Sequence, residues 1–267
     1  MHRARPIRLR ITAGRVGAAL GALAGLGTLV AGLPSAQAAA AQSSAQAEYQ
    51  AAMQTVGSLG VHFSSSASQK GVNILVSGDT GSTSGAEKIV VHRGDVTEVM
   101  HAMVVGSTDY LEGNKPALSE VLGLTSAQSS KYASTWLSFP TSVSGLSGLV
   151  GGLLDSQVRS EVELNGPYRY ASPTTVGGQP ALSIKGSVRS EDGGSVPVVL
   201  YVPRSGTPYP IEEVTNPGNS GGADAIHGTV SFSDWGEQKS QQAPAHSVSL
   251  LTILPKSAGS GTSSDQG

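Results

Sequence analysis

A serine set between glycines is the residue whose type and spacing most suggest covalent chemistry. Residues 218–222 read Gly-Asn-Ser-Gly-Gly, a spacing in which Ser220 could act as a nucleophile. Such a serine needs a histidine as general base and an aspartate that orients the histidine. The candidate bases His62, His92 and His101 lie instead in strand-like sequence. We therefore interpret this segment as a Gly-rich hairpin loop.

The alternative is that the chain is an exported serine protease that uses Ser220. The loop resembles the nucleophile loop of trypsin-like proteases, but Ala223 stands where those proteins usually carry proline. The preceding Asn216 and Pro217 already supply turn chemistry. The protease hypothesis is retained only as an alternative to a function without catalysis.

The other chemical signatures are weak. The histidines show neither an H-E-x-x-H motif nor an H-x-H pair, and the chain has no cysteine. No phosphate-binding Gly loop is present. The carboxylate pairs Glu161/Glu163 and Glu212/Glu213 are expected to be solvated, the first pair sharing one strand face and the second pointing oppositely. Residues 93–95 (Arg-Gly-Asp) are expected to form a turn. The sequence thus predicts no enzyme activity, no metal and no cofactor.

The first 38 residues are expected to direct export. Five arginines up to Arg15 precede an uncharged stretch over 16–33, and residues 36–38 (Ala-Gln-Ala) form a signal-peptidase site. An uncleaved membrane anchor is the alternative. Cleavage after Ala38 would leave 12 Lys+Arg against 19 Asp+Glu, a net charge of −7. That charge disfavours nucleic-acid partners, and the missing cysteine excludes a lipobox anchor.

The remainder is predicted to be one domain over 39–254 with a disordered tail over 255–267. Helical periodicity over 45–59 predicts an opening amphipathic helix. Period-two alternation then predicts two runs of strands, listed here by number: 61–67, 72–78, 86–93, 96–105 and 108–112, then 167–173, 181–188, 196–202, 209–214, 226–233 and 248–254.

A helical insertion is predicted between the two runs of strands. It comprises short helices over 116–122 and 126–132 and a longer Gly-rich helix over 142–158. Because the strand connections are short, the sheet should be antiparallel, and ten or eleven strands in one sheet must curl strongly. The predicted fold is therefore an α+β half-barrel, with the opening helix and the insertion covering its concave face.

A strongly curved sheet of this size should enclose an apolar space. The chain has only 3 Phe, 2 Trp and 7 Tyr, so few large side chains are available to fill it. An unfilled apolar cavity is expected to take an apolar ligand.

The order of elements resembles the LolA/LolB-type carriers, and in particular the LppX/LprG group of actinobacterial lipid-binding lipoproteins. The resemblance covers roughly residues 46–238. The stretches that carry it are 109–114 (Asp-Tyr-Leu-Glu-Gly-Asn), 131–133 (Lys-Tyr-Ala) with Trp136, 175–181 (Thr-Val-Gly-Gly-Gln-Pro-Ala), 200–202 (Leu-Tyr-Val), 208–210 (Pro-Tyr-Pro) and 232–236 (Phe-Ser-Asp-Trp-Gly).

The resemblance implies a monomeric carrier that shields acyl chains of a lipid, glycolipid or lipoprotein, with donor and acceptor proteins in the cell envelope. The lipoprotein members carry an anchoring cysteine that is missing here, which favours a secreted or wall-associated protein. From their apolar pattern, we expect these residues to line the lipid site: Val99, Met103, Val105, Leu149, Val150, Leu153, Leu182 and Ile184. An extracytoplasmic sensor or interaction protein with a filled cavity is the main alternative.

Overall fold

A computed structural model describes residues 36–57, 59–143, 150, 152–189, 194–216 and 227–254, with side chains from Ser44 onward. The helices are α1 (Ala36–Val56), α2 (Lys115–Leu122), α3 (Ser126–Tyr132) and α4 (Asp155–Glu161). The strands are β1 (His62–Gln69), β2 (Val72–Asp79), β3 (Ser84–Arg93), β4 (Val96–Val105), β5 (Thr108–Gly113), β6 (Leu137–Pro140), β7 (Asn165–Tyr170), β8 (Thr174–Val176), β9 (Gln179–Arg189), β10 (Ser195–Pro203), β11 (Glu212–Thr215), β12 (His227–Ser233) and β13 (Val248–Ser249).

All thirteen strands belong to one curved, open sheet. Its order is β13-β6-β5-β4-β3-β2-β1-β12-β11-β10-β9-β7, and β8 pairs with β9. The pairs are antiparallel except β13 with β6. The predicted α+β half-barrel is confirmed. The strand count exceeds the expected ten or eleven because β6 and β8 span only four and three residues, too few to show alternation.

Tight turns fix the register of the first five strands. Gly94 has φ +58° between β3 and β4, a conformation that costs glycine little. Arg93 pairs with Val96 across this turn, so residues 93–95 form the predicted hairpin turn. The Arg93 guanidinium also lies 3.5 Å from the Glu98 carboxylate. The Arg-Gly-Asp sequence is therefore explained by hairpin geometry.

The two short helices of the insertion begin where the sequence predicts them because capping groups satisfy their first backbone amides. The Asn114 side chain accepts a hydrogen bond from the Ala117 amide at 3.1 Å. In α3, Thr125 and Gln128 form a capping box. Both helices match the predicted ranges.

The predicted long helix over 142–158 is wrong. Residues 141 and 142 form a turn, Val150 and residues 152–154 are not helical, and α4 begins only at Asp155. Gly152 has φ +84°, which a helix does not allow. Leu154 instead forms an isolated bridge with Gly81. At the described positions, apolar residues at helical spacing thus form no helix before Asp155, and residues 144–149 and 151 of the predicted helix lie outside the described residues.

The predicted domain boundaries remain predictions. Residues 1–35 and 255–267 lie outside the described residues, and α1 begins at Ala36, two residues before the predicted cleavage position. Among the helices that the structure describes, none has the length and apolar character needed to cross a membrane. The core lies between one face of the sheet and the helices.

Candidate functional site

Each central strand presents one buried and one accessible face. The helix-covered face is defined by the buried residues Phe63, Ser65, Val76, Glu87, Ile89, Met100, Ala102 and Val104 of β1 to β4. The open face is defined by the alternating residues Ser64, Ser66, Leu75, Ser77, Lys88, Val90, Val99 and Met103 of the same strands. Residues paired across antiparallel strands share a face, so the register assigns every residue of these strands to one of the two surfaces.

The predicted lipid-site residues are divided between these two faces. Val150, Leu153 and Ile184 are buried in the core against the helix-covered face, and Leu182 packs on it half-buried. Leu149 lies outside the described residues.

Val99, Met103 and Val105 are half-buried residues of the open face, so the structure does not bring them to the others. Strand β4 is apolar on both faces, and Met100, Ala102 and Val104 occupy the buried one. Sequence alternation alone could not choose between the two sets of β4 residues.

The interior beneath α4 is closely packed. A cavity of only about 10 Å³ lies there, lined by Val61, Phe63, Thr80, Gly152, Val158, Glu161, Val230 and Phe232. That volume is about what one water molecule needs. The predicted apolar cavity is therefore not found under α4, where the α4 segment, residues 152–162, fills the space with Leu153, Val158 and Val162. Residues 144–149 of the predicted cover lie outside the described residues, so the cavity stays a prediction for the rest of this face.

Two adjoining grooves on the open face are much larger. They have volumes of about 380 and 480 Å³ and share Ser66, Leu75 and Thr229 as lining residues. Most of their walls are hydroxyl and amide side chains, with Lys88 in one and His227 in the other. The larger of these volumes thus lie on the open face, whose walls combine polar side chains with Leu75, Val90 and Val214.

The α4 segment closes the helix-covered face over the ends of β2 and β3. The Asp155 amide donates to the Gly81 carbonyl at 3.0 Å. The Gln157 side chain accepts from the amides of Gly152 at 3.1 Å and Leu154 at 3.3 Å. A Cβ at Gly85 would collide with the Leu153 carbonyl oxygen, so this close approach requires glycine. Val158 then inserts beside Phe63.

Helix α1 covers the same face and is fixed to the chain that enters β7. The Tyr49 hydroxyl accepts from the Leu164 amide at 2.8 Å and donates to the Leu164 carbonyl at 3.3 Å. Its ring stacks on Tyr168 at 4.4 Å. Burial raises the pKa of the Tyr49 hydroxyl, which therefore stays neutral.

Buried carboxyl groups interrupt this apolar face. Glu87 is 3% exposed, and neither of its carboxyl oxygens has a hydrogen-bond partner. Burial first, and then the nearby Glu161, raises the pKa of Glu87 to about 8. The Ser65 hydroxyl on the same face is also buried without a partner. Such groups are costly in an apolar interior unless something pairs with them.

Sequence reasoning missed Glu87 although a signal was present. In β3, Glu87 alternates in step with Ile89 and Val91, so these three side chains lie on the same face of the strand. An apolar strand face therefore carries a carboxylate, while Lys88 lies on the opposite face. The expectation that both carboxylate pairs are solvated was also wrong for Glu213, which is buried. Glu161 lies at the end of α4, so it does not share a strand face with Glu163 as predicted.

Burial likewise raises the pKa of Asp109, on the same face of the sheet, to about 6. Within the described ranges, no group of three His, Asp or Glu residues is placed to hold a metal ion. Ser220 of the protease alternative lies outside the described residues. His62 is paired with Asp79, with its Nδ1 2.8 Å from the Asp79 carboxylate.

The curved, open antiparallel sheet with helices on one face is LolA/LppX-like, as the resemblance in sequence predicted, and this likeness is one of fold. The chain is similar in structure to LprF from Mycobacterium bovis, with a TM-score of 0.51 at 12% identity over 76% of this chain and 98% of LprF. For the lipoprotein LppX from Mycobacterium tuberculosis, the TM-score is 0.45 at 14% identity, over 74% of this chain and 98% of LppX. For a protein from Thermus thermophilus, the TM-score is 0.41 at 9% identity, over 78% of this chain and 98% of that protein. No family model and no curated protein matches the sequence.

Proposed function

We propose that this chain is an exported, non-enzymatic lipid-binding protein that holds acyl chains against the helix-covered face of its sheet. The observation that carries the proposal is the largely apolar wall under α1 and α4, which a few buried polar groups interrupt, in a sheet of this fold. The arginine-rich and uncharged segment over 1–33 supports export. No catalytic residue is required, because the task is to shelter apolar surface from water.

An acyl chain can enter this interior only if the α4 segment moves away from the sheet. Exposing Leu153, Val158 and Val162 would cost about 1.5–3 kcal/mol for each side chain. A sixteen-carbon chain offers burial of about 0.8 kcal/mol for each methylene, or roughly 12 kcal/mol in all. The free energy gained by burying the acyl chain exceeds the cost of exposing the three side chains, which sums to about 4.5–9 kcal/mol. The acyl chain then covers the part of the sheet that these side chains leave. Long chains, or two chains together, are therefore the expected ligands.

Transfer of the ligand across the cell envelope is the biological role that this chemistry suits. A monomer with a removable cover can receive a lipid, glycolipid or lipoprotein from a donor protein and release it to an acceptor. The negative charge expected after cleavage disfavours nucleic acid, and the lack of cysteine in the sequence favours a secreted or envelope-associated protein over a lipid-anchored one.

The experiment is to purify the protein without detergent, extract it with organic solvent and identify bound lipids by mass spectrometry. Val158→Gln places an amide in the apolar interior, and Met103→Gln makes the same kind of change on the open face. Lipid recovery should fall strongly in the first variant and stay near wild type in the second. Circular dichroism confirms that both variants are folded. Equal recovery from both would contradict the placement of the lipid.

The closely packed interior favours a second candidate, an extracytoplasmic sensor or interaction protein that carries no ligand. The cavity of about 10 Å³ under α4 is the observation on its side. An extract without lipid, together with no binding of added long-chain lipid, would select this second function over the first.

A further inference from the structure

The interior that the proposed function assigns to acyl chains contains a polar site. Glu87 projects from β3 into the helix-covered face, flanked along its strand by Gly85 and Ile89 and paired with Ala102 on β4. It is almost fully buried, and both of its oxygens lack a donor. Few side chains are as unfavourable to leave unpartnered in a protein interior. This one lies next to the space that a ligand would open.

Glu161 approaches the same place from the helical side. It lines the small cavity under α4 together with Phe63. Gly78 stands between Phe63 and Glu87 in the strand pairing, and a Cβ there would lie 2.8 Å from both the Phe63 ring and the Glu87 Cβ. The cavity, the Phe63 ring and Glu87 are therefore contiguous. The two carboxyl groups face one region from the sheet and from its cover.

This region requires hydrogen-bond donors and positive charge. A hydroxyl group would donate one hydrogen bond, whereas an ammonium group offers three donors and balances a carboxylate charge. A carboxylate or phosphate ligand would add a further negative charge beside two acids, which is strongly unfavourable at low dielectric. Of the common lipid functional groups, an amine fits this pair best.

We propose that Glu87 and Glu161 bind the ammonium group of an amine-bearing amphiphile whose hydrocarbon chain lies between α4 and the sheet. This inference rests on the proposed function, because the chain must first enter the helix-covered interior. It adds the chemical class of the ligand. The ammonium group would lie next to the Phe63 ring, where the cavity under α4 already begins.

The test is calorimetric titration at pH 7 with three probes below their micellar concentrations: dodecylamine, dodecanol and dodecanoate. Dodecylamine should bind at least about tenfold more tightly than dodecanol, and dodecanoate most weakly. Glu87→Gln should remove the preference for the amine while dodecanol binding is retained. Glu112→Gln changes a half-exposed carboxylate of β5 and should keep the wild-type preference.

Proton release gives a second readout that needs no variant. Burial keeps the Glu87 carboxyl mostly protonated at pH 7, because its pKa is about 8, and the nearby Glu161 contributes to raising that pKa. An ammonium group bound beside it would lower that pKa and expel the proton. Titrations in phosphate and Tris buffers should therefore show up to about one proton released for each dodecylamine bound, and none for dodecanol.

The outcomes separate the inference from the function on which it rests. If the three probes bind equally, or if dodecylamine binds without proton release, the amine site is wrong and lipid binding stands. If none of the probes binds the folded wild-type protein, the proposed function itself is contradicted. If the wild-type protein prefers dodecylamine and releases a proton, and Glu87→Gln loses both properties, the amine site and the proposed lipid-binding function are both supported.

Discussion

The two faces of the sheet are built by the same strands but have opposite properties. Along β1, Phe63, Ser65 and Ala67 point toward the helices, and the alternating serines point to the open face. The helix-covered face is mostly apolar, and the cavity under α4 measures only about 10 Å³. The open face has grooves of about 380 and 480 Å³, whose walls combine polar side chains with apolar ones such as Leu75 and Val90. Among the described residues, a lipid under α4 therefore needs the cover to move, whereas the open face offers accessible space of mixed polarity.

This contrast locates the energetic cost of ligand binding in the α4 segment. A preformed apolar cavity would bind lipid without rearrangement, as the sequence led us to expect. Here the protein's own side chains occupy the wall in the ligand's place, so binding is an exchange of one apolar surface for another. Substitutions that weaken the cover should change both stability and lipid affinity, whereas open-face substitutions should change stability by less than about 1 kcal/mol and leave lipid affinity unchanged.

The largest expected effect is on core packing. Leu153→Ala should lower the free energy of unfolding by about 2–5 kcal/mol, because Leu153 is fully buried in the core. Met103→Ala, on the half-exposed face of β4, should cost less than about 1 kcal/mol. Urea denaturation of both variants measures the difference. Equal losses would mean that Met103 also lies in a packed core and that the two faces are wrongly assigned.

A smaller effect is expected where the cover touches the sheet. Gly85→Ala should cost about 1–3 kcal/mol, because the new methyl group collides with the Leu153 carbonyl and displaces the α4 segment.

The matched control is Gly228→Ala. Its Cβ would meet the Ala67 Cβ and the Ser66 carbonyl at 3.6 Å, which is ordinary contact. Thermal unfolding should show a clear loss for the first variant and little change for the second. A stable Gly85→Ala protein would show that this contact does not hold the segment in place.

Much of the fold could be predicted because alternation and turn residues are local signals. The strands β1 to β5 and the helices α2 and α3 follow the predicted ranges closely. The helix predicted over 142–158 failed at its described positions, because Gly152 has a positive φ and the backbone becomes helical only at Asp155. The strands β6 and β8 were too short to show a period.

The candidate site could be predicted only in part. Leu153 and Ile184 were correctly expected to be apolar residues of the interior, but only three-dimensional packing decides which face of β4 is covered. The contact between β3 and α4 joins residues 74 positions apart in the chain, so no local pattern could bring Glu87 to Glu161. The position of Glu87 on the same strand face as Ile89 was the signal in the sequence that could have identified it.

The buried acid of the helix-covered face should make stability depend on pH. The pKa of Glu87 is about 8 in the native protein and 4.5 in its usual state, so the native state binds the proton more tightly between these values. Stability should therefore fall as pH rises through this window, by up to about 1.4 kcal/mol for each pH unit. Urea denaturation at pH 7 and 8 measures this slope where the Asp109 carboxyl, with a pKa of about 6, is already mostly ionised.

Glu87→Gln should flatten that slope, and Glu112→Gln should keep it. If the wild-type slope persists in Glu87→Gln, another group is responsible, and Glu87 does not lie in the low-dielectric interior described above. A flattened slope in Glu87→Gln would show that Glu87 is protonated at pH 7 in the wild-type protein. This is the protonation state from which the proton release on amine binding starts.

The smallest effect is expected at the edge of the open face, where water weakens charge interactions. Asp79 accepts from Lys239 Nζ at 2.9 Å and lies 2.8 Å from His62 Nδ1, which joins the chain after β12 to the ends of β1 and β2. Partial burial opposes ionisation, but the hydrogen bonds from Lys239 and His62 outweigh it and lower the pKa of Asp79.

A carboxyl group with a lowered pKa stabilises the native state at pH values above its usual pKa of 3.8, and this contribution is lost as pH falls through the lowered pKa. Asp79→Asn should therefore cost less than about 1 kcal/mol at pH 7, because all three side chains are partly exposed, and less at pH 3 than at pH 7. Glu112→Gln serves again as the control, and 1 M salt should reduce the Asp79 effect but not the Leu153 effect. A loss at pH 7 as large as that of Leu153→Ala would mean that this charge network, rather than the helix-covered core, holds the sheet to the rest of the chain.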